Sequence, residues 1–212
     1  MSKGRWLKKY TKIEYLTDIL KDKELHLGHP SSWDDKNDSE VIQLYATGRR
    51  DDFDIRATCL TQASDRFHFW HIFGERENGV CLWFEKDAFI KDIEEDPSLI
   101  ASPIQYPNKR DLPQTKPDEV PFTKREQYAD EKEFRILRVS SPDGIAHDKF
   151  RFSASSLRRI YFNPWLSRER LDSHKRFLKR HLRGDLSDVM LKQNRSLKHQ
   201  KWINKLSASS CD

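Results

Sequence analysis

Gly79-Val80-Cys81-Leu82-Trp83-Phe84 is a run of six residues without one polar side chain. A strand with one wet face alternates apolar and polar residues, so an unbroken run marks a strand covered on both faces. Such a strand needs a sheet around it and layers above and below. Further strands are read at Arg5–Tyr10, Glu24–Leu27, Ile55–Leu60, Ile104–Tyr106, Phe134–Val139, Lys149–Phe152, Leu157–Phe162 and Asp188–Gln193. Thr11, with Glu14 three residues on, reads as a capping box that opens a helix bearing Ile13, Leu16, Ile19 and Leu20 on one face. More helices are expected near Ser39–Ala46, from Ser64 to Phe73 with Gly74 as its stop, from Lys86, and from Ser167 to about His181. The mixture predicts an α+β single domain: a mixed or antiparallel sheet with flanking helices.

The 212 residues suffice for one full hydrophobic core. Hydrophobic residues make up 36% and charged residues 34%, which is polar for a globular chain. Yet 18 of the 24 aromatic residues are Phe or Trp, spread along the sequence, and that excludes general disorder. No run approaches the ~18 apolar residues of a membrane span. Met1–Tyr10 is basic without an apolar stretch behind it, so no secretion signal is read there. Cys59, Cys81 and Cys211 have no metal-ligand spacing; the first two are expected as buried, reduced thiols, and a cytoplasmic location follows. Residues 1–194 read as one domain. Within it, Pro107–Pro121 carries four prolines and few apolar residues, and reads as an exposed, mobile insertion. Residues 195–212 read as a basic, disordered tail, apart from a contact through Trp202. From Arg168 to Lys205 there are 12 Lys and Arg against 4 Asp and Glu, a larger excess than the whole chain's +5. Phosphates or nucleic acid are the natural partners of such a stretch, through Arg168, Arg170, Lys175, Arg176, Lys179 and Arg180. A solvated basic helix is the equally weighted alternative.

Glu131, Glu133 and Arg135 alternate, and in a strand all three point to one side. Two carboxylates ~7 Å apart repel unless they share a cation, a metal or a proton. An exposed strand face with a Glu–Arg pair is the plainer reading. Asp34 and Asp35 follow Trp33 on a loop and could take a metal, a ribose or the late-strand arginine; an Asx turn beside a buried Trp33 is equally open. His68 and His71 share a helix face, as do His26 and His29 in spacing, but neither pair has a third ligand, so no metal site is assigned. The seven glycines form no phosphate loop or dinucleotide fingerprint.

Four segments together resemble domain-of-unknown-function family 2971, a bacterial family found near phage-defence and toxin genes. They are Lys9-Tyr10 through Leu27 with Pro30-Ser31-Ser32-Trp33-Asp34-Asp35; Cys59-Leu60-Thr61 through Phe69-Trp70-His71-Ile72-Phe73-Gly74 to Gly79-Val80-Cys81-Leu82; Glu131-Lys132-Glu133-Phe134-Arg135; and Leu157-Arg158-Arg159-Ile160-Tyr161-Phe162. Two departures stand out: Phe73 replaces a usual Tyr, and Lys36-Asn37 follows the aspartates where Pro-Phe is usual. The strand–helix–strand opening, the Trp-bearing helix and the late Glu-x-Arg strand are in turn similar to ADP-ribosyltransferases. That resemblance implies NAD as cofactor. Glu133 would hold a ribose hydroxyl and stabilise positive charge, with Arg135 and Glu131 beside it. Tyr10, Ser31, Trp33, Asp35, Trp70 and His71 would bind the cofactor. A toxin-type effector modifying a macromolecule such as nucleic acid is the leading expectation. Two alternatives stay open: a Mg²⁺-dependent nuclease using Asp34, Asp35, Glu131 and Glu133, and a non-catalytic nucleic-acid sensor.

Overall fold

The computed structural model describes residues 5–47, 54–74, 76–140, 148–197 and 200–209. Along them run β1 (Trp6–Lys12), α1 (Leu16–Asp22), β2 (Glu24–His26), α2 (Lys36–Thr47), β3 (Asp54–Thr61), α3 (Phe67–Ile72), β4 (Gly79–Glu85), α4 (Lys86–Glu94), β5 (Leu99–Pro103), β6 (Glu133–Ser140), β7 (Lys149–Arg151), β8 (Leu157–Phe162), α5 (Arg168–Leu178), β9 (Met190–Gln193) and α6 (Gln200–Ser209). The fold is α+β. Seven strands form one sheet in the order β5-β6-β3-β1-β4-β8-β9, and β2 pairs with β7 in a separate ribbon. All neighbours in the large sheet are antiparallel except β8 and β9.

The apolar run of β4 is explained by what covers it. Val80, Leu82 and Phe84 point to one face, where Leu7, Leu60, Phe134, Ile136, Ile160 and Phe162 join them. There α1 (Leu16, Leu20), α4 (Phe89, Ile93), α5 (Leu171, Leu178) and the ribbon (Leu25, Phe150) close the main core. Phe84 sits 4.4 Å from the Phe89 ring and 5.1 Å from the Phe152 ring. Each such side chain, fully buried, contributes ~1.5–3 kcal/mol. Cys81 and Trp83 point to the second face, where two smaller clusters form. Helix α3 packs Phe69 and Trp70 over Tyr10, Cys81 and Trp83. Helix α2 packs Ile42 and Tyr45 over Ile55, Ala57 and Leu137.

β1 and β3 are paired only at Lys8 and Thr61. Beyond that point the strands part, and Gly28 takes the vacated edge: its N–H reaches the Ala57 carbonyl at 2.9 Å, and the Ala57 N–H returns to Gly28 at 2.8 Å. This fork lies in the middle of the sheet.

Several expectations need correction. Thr11 and Lys12 do not open a helix, because β1 stays paired with β4 as far as Gly79; a 3-10 turn at Ile13–Tyr15 then leads into α1. Helix α3 starts at Phe67, not Ser64, since residues before it are tied elsewhere: the Lys8 ammonium donates to the Ala63 carbonyl, and Asp65 is held by Tyr10. The edge strand is Leu99–Pro103, not Ile104–Tyr106, and an edge tolerates the proline at its end. In the Pro-rich stretch, Pro117–Phe122 forms a 3-10 helix with Pro121 and Phe122 buried, so this half is not exposed: Phe122 packs in the α2 cluster. Gln200–Ser209 is helical where disorder was expected, with Trp202, Ile203 and Leu206 at adjacent helical positions. Cys211 lies outside the described residues. No helix among those described is long and apolar enough to cross a membrane.

Candidate active site

Because α2 and α3 stand over different strands, the second face is left uncovered between them, at the fork. A cleft of about 900 Å³ opens there. Its floor is Lys8 and Tyr10 from β1, Ala57, Cys59 and Thr61 from β3, and Glu133 from β6. Trp33 to Asp38 line it as α2 begins, and Phe69, Ile72 and Phe73 of the α3 segment line it as well. Lys124, Arg125, Tyr128 and Glu131 complete it. The volume is at the upper end of the ~300–1,000 Å³ typical of ligand and cofactor sites.

One buried charge cluster organises this floor. Arg135 is fully buried on β6. Its Nε donates to Glu133 Oε1 at 2.8 Å, its Nη2 to Asp38 Oδ2 at 2.6 Å, and its Nη1 to the Pro121 carbonyl at 2.9 Å. The guanidinium also lies 5.1 Å from the Trp33 ring. Lys124 reaches Glu131 Oε2 at 2.8 Å, Glu133 Oε2 at 3.3 Å and Asp38 Oδ2 at 3.8 Å. Three carboxylates thus share two cations. Burial alone would push the Glu133 carboxyl up, but Arg135 and Lys124 together hold it below the usual carboxylate range, so it is ionised. Burial raises Asp38 and Glu131 despite Arg135 beside the one and Lys124 beside the other. Lys124 loses to burial but gains more from Glu133 and Glu131, and its pKa is raised. The Glu133 N–H donates to the Tyr106 hydroxyl at 2.9 Å, and burial pushes Tyr106 up to about 12. At the fork, the Lys9 ammonium donates to the Cys59 carbonyl at 3.1 Å, and burial lowers its pKa. Among the described residues, two buried oxygens, Asp38 Oδ1 and Thr58 Oγ1, have no hydrogen-bond partner.

The residues expected from sequence are partly brought together. Glu133 and Arg135 stand side by side on β6 as read. Glu131 does not continue their row: it ends the 3-10 turn Glu126–Glu131, and Lys132 then turns the chain in a left-handed conformation (φ 44°). Glu131 returns to the cluster only through Lys124. Tyr10 lines the cleft, its ring edge-on to Trp70 at 5.0 Å and its hydroxyl donating to Asp65 Oδ1 at 2.5 Å. Trp33 and Asp35 line it too, but one Asp35 oxygen is occupied in starting α2: Oδ1 accepts from the N–H groups of Asn37 (3.0 Å) and Asp38 (3.3 Å). These bonds, with one from Tyr128, outweigh burial and hold Asp35 below its ordinary range. Ser31, Trp70 and His71 do not line the cleft. Ser31 is exposed beside His29, Trp70 is buried beneath α3, and His71 stacks on Phe67 outside.

The late-strand arginine meets Asp38, not Asp34 or Asp35. Asp38 and Lys124 were not found from sequence, since Asp38 lies in the first turn of a polar helix and Lys124 in a connection without periodicity. The Mg²⁺ arrangement with Asp34 and Asp35 is not assembled, and the point where Asp38, Glu131 and Glu133 converge holds the Lys124 ammonium. The basic helix α5 is not part of the cleft. Its apolar side enters the main core on the opposite face of the sheet, and Arg170 is engaged with Glu77 (3.2 Å) and Asn78 (2.7 Å).

No family model and no curated protein matches the sequence. Among solved structures, the chain is similar to DarT of Thermus sp. 2.9 in complex with carba-NAD+, with NAD+ and with ADP-ribosylated ssDNA. The TM-score is 0.45 in each case. Identity is 13%, 13% and 14%, over 92% of this chain and 98%, 97% and 96% of those chains.

Proposed function

We propose that the cleft binds NAD and that the chain is an ADP-ribosyltransferase-like effector of phage-defence or toxin type, acting in the cytoplasm on a macromolecule, with nucleic acid as the leading target class. The observation that carries this is Glu133, ion-paired with Arg135 at 2.8 Å and Lys124 at 3.3 Å at the floor of a cofactor-sized cleft. The residues present fit such a group. Tyr10, Trp33, Phe69 and Phe73 offer ring faces and edges, and Lys8, Lys36 and Arg125 offer positive charge. The resemblance of four sequence segments to family 2971 is consistent with this reading, and membership of that family is part of the proposal.

Bound NAD would supply a ribosyl carbon: its bond to nicotinamide would break with the electron pair leaving on nicotinamide, and a nucleophilic atom of the acceptor would form the new bond and give up its proton. Glu133 presents a fixed negative charge to the positive charge that develops on the sugar. Arg135 and Lys124 keep that carboxylate ionised and aimed, since they hold both of its oxygens from a rigid strand and a buried connection. Tyr106 fixes the Glu133 backbone. Phe73, where the resemblance would place a tyrosine, gives a ring without a hydroxyl, so no proton passes through that position.

The test is release of nicotinamide from labelled NAD, with single-stranded and duplex nucleic acid offered as acceptors. Glu133→Gln should lower turnover per folded molecule ~100-fold or more, the scale on which one electrostatic stabiliser acts. A wild-type protein that leaves NAD intact with every acceptor, or a Glu133→Gln variant with unchanged turnover, would overturn the proposal.

A further inference from the structure

Beyond the cleft, the second face continues across β1, β4 and β8 as alternating rings and cations. The Trp6 and Trp83 rings lie 5.7 Å apart, and Trp83 lies 5.0 Å from Tyr161. The Arg159 guanidinium stands 4.7 Å from the Trp6 ring and 5.8 Å from Trp83. Lys8 sits 4.5 Å from Trp83, and Arg5 5.2 Å from Trp6. Trp6, Arg159 and Tyr161 are half-buried, and Arg5 is mostly exposed, so this ladder reaches the surface. Among the described residues, the acidic neighbour of Arg5 is Glu85 at 4.0 Å. Among the described residues Arg159 and Lys8 form no ion pair. The Arg159 charge is held against ring faces, whereas Lys8 is buried, donates to the Ala63 carbonyl and lies in the field of Asp65.

Strand register ties this ladder to the cleft. Glu133 is opposite Thr61, Thr61 opposite Lys8, Lys8 opposite Trp83, and Trp83 opposite Arg159. These five residues form one cross-strand row. At 4.7–4.9 Å per strand, Arg159 stands about 19 Å from Glu133. Lys8 belongs to both parts: it lines the cleft and covers Trp83, whereas Trp6, Trp83 and Arg159 do not line the cleft.

We propose that the half-buried Trp6, Arg159 and Tyr161, seated on the buried Trp83, form the docking track for single-stranded nucleic acid, and that it leads the strand along the cross-strand row toward Glu133. Unstacked bases pair with the accessible parts of the Trp6 and Tyr161 rings and with the Arg159 guanidinium plane, and Arg5 and Arg159 take the phosphates between them. A duplex keeps its bases stacked and offers no face to these rings, so the track selects single strands. The purpose of the track rests on the transferase reading of the cleft. Its binding does not, because it needs no NAD.

The experiment is fluorescence anisotropy of a short fluorescein-labelled oligothymidylate with the full chain, without NAD, over a series of salt concentrations. The wild type should bind at low salt, and unlabelled single strand should compete better than duplex. Trp6→Leu, which keeps apolar bulk but removes the ring, should weaken binding roughly 5- to 150-fold with little change in salt slope, and Trp6→Phe should retain most of it. Arg159→Ala should weaken binding and reduce the slope of log K against log salt by about 0.7, the share of one single-strand phosphate. The proposal is overturned if the wild type does not bind at low salt, or if duplex competes as well as single strand. It is equally overturned if the Trp6 and Arg159 variants match wild type while replacement of Lys175, Arg176, Lys179 and Arg180 on α5 abolishes binding. A chain that binds the strand but never cleaves NAD refutes the transferase reading and leaves the track standing; cleavage of NAD by a chain that ignores oligothymidylate does the reverse.

Discussion

Replacing Lys124 by Met removes one of the two cations that three buried carboxylates share. The Lys124 side chain is 10% exposed, and the Asp38 and Glu133 side chains it faces are each 5% exposed. Each of its three contacts is worth ~4–6 kcal/mol of attraction at an effective dielectric of 20, most of it offset by desolvation. Removing one partner of such a buried group costs ~3–5 kcal/mol, because the remaining charges stay buried without compensation. The cluster has one way to recover: it can take up a proton. Asp38 and Glu131 are already raised by burial and Glu133 is held down, and without Lys124 all three carboxyls rise. The native variant then binds a proton that the unfolded chain, with Glu near ~4.3, does not, so its stability increases as pH falls. One such proton returns up to ~3 kcal/mol between about pH 7.5 and about pH 5. In the wild type Lys124 holds Glu133 down, so only the raised Asp38 and Glu131 contribute and the gain over the same window is smaller. Urea unfolding followed by tryptophan fluorescence at the two pH values measures both numbers. A loss below ~1 kcal/mol, or a loss equal at both pH values, would show that Lys124 is not the counter-ion of this cluster.

Phe84→Ala should cost ~3–5 kcal/mol, since the side chain is fully buried between Phe89 and Phe152; chemical denaturation measures it. Gly79→Ala should cost ~1–3 kcal/mol in the same assay, because the new Cβ would meet the Gly74 carbonyl oxygen at 2.8 Å and its Cα at 3.0 Å, both backbone atoms. Glu133→Gln should also lower stability, read as a lower Tm, because it takes the negative charge from a fully buried Arg135; its effect on turnover must therefore be read per folded molecule. Tyr10→Phe should cost ~1–2 kcal/mol and speed amide exchange at residues 194–196, since Asp65 binds Tyr10 through one oxygen and Asn194 and Ser196 through the other.

What sequence reveals here follows the range over which each signal acts. The six apolar residues of β4 are legible because burial on two faces leaves no polar position to obscure the strand. Ser167 is legible as the start of α5, since its side chain does accept from Arg170 N–H, a contact three residues long. The capping box at Thr11 fails because pairing with β4 overrides a local preference worth about 1 kcal/mol. Asp38 and Lys124 are illegible for a different reason. Asp38 meets Arg135 across 97 positions, and Lys124 meets its carboxylates from a loop of no fixed period. The alternation Glu131-x-Glu133-x-Arg135 suggests a row that Lys132 breaks by turning left-handed, yet Lys124 draws the two glutamates together again.

The position of β1 has a consequence for how the molecule comes into being. This early strand lies at the middle of the sheet, and its two neighbours are made some fifty and seventy-five residues later. During synthesis at about 5–20 residues per second, Trp6, Leu7 and Tyr10 wait for seconds without β3 or β4 to pair with. Pairings this distant slow folding, because loop closure must precede the contacts that reward it. The row from Glu133 to Arg159 closes later still, once β6 and β8 have emerged. A nascent chain halted before β6 lacks Glu133 altogether, so the chemistry proposed for the cleft cannot begin on the ribosome with half a protein.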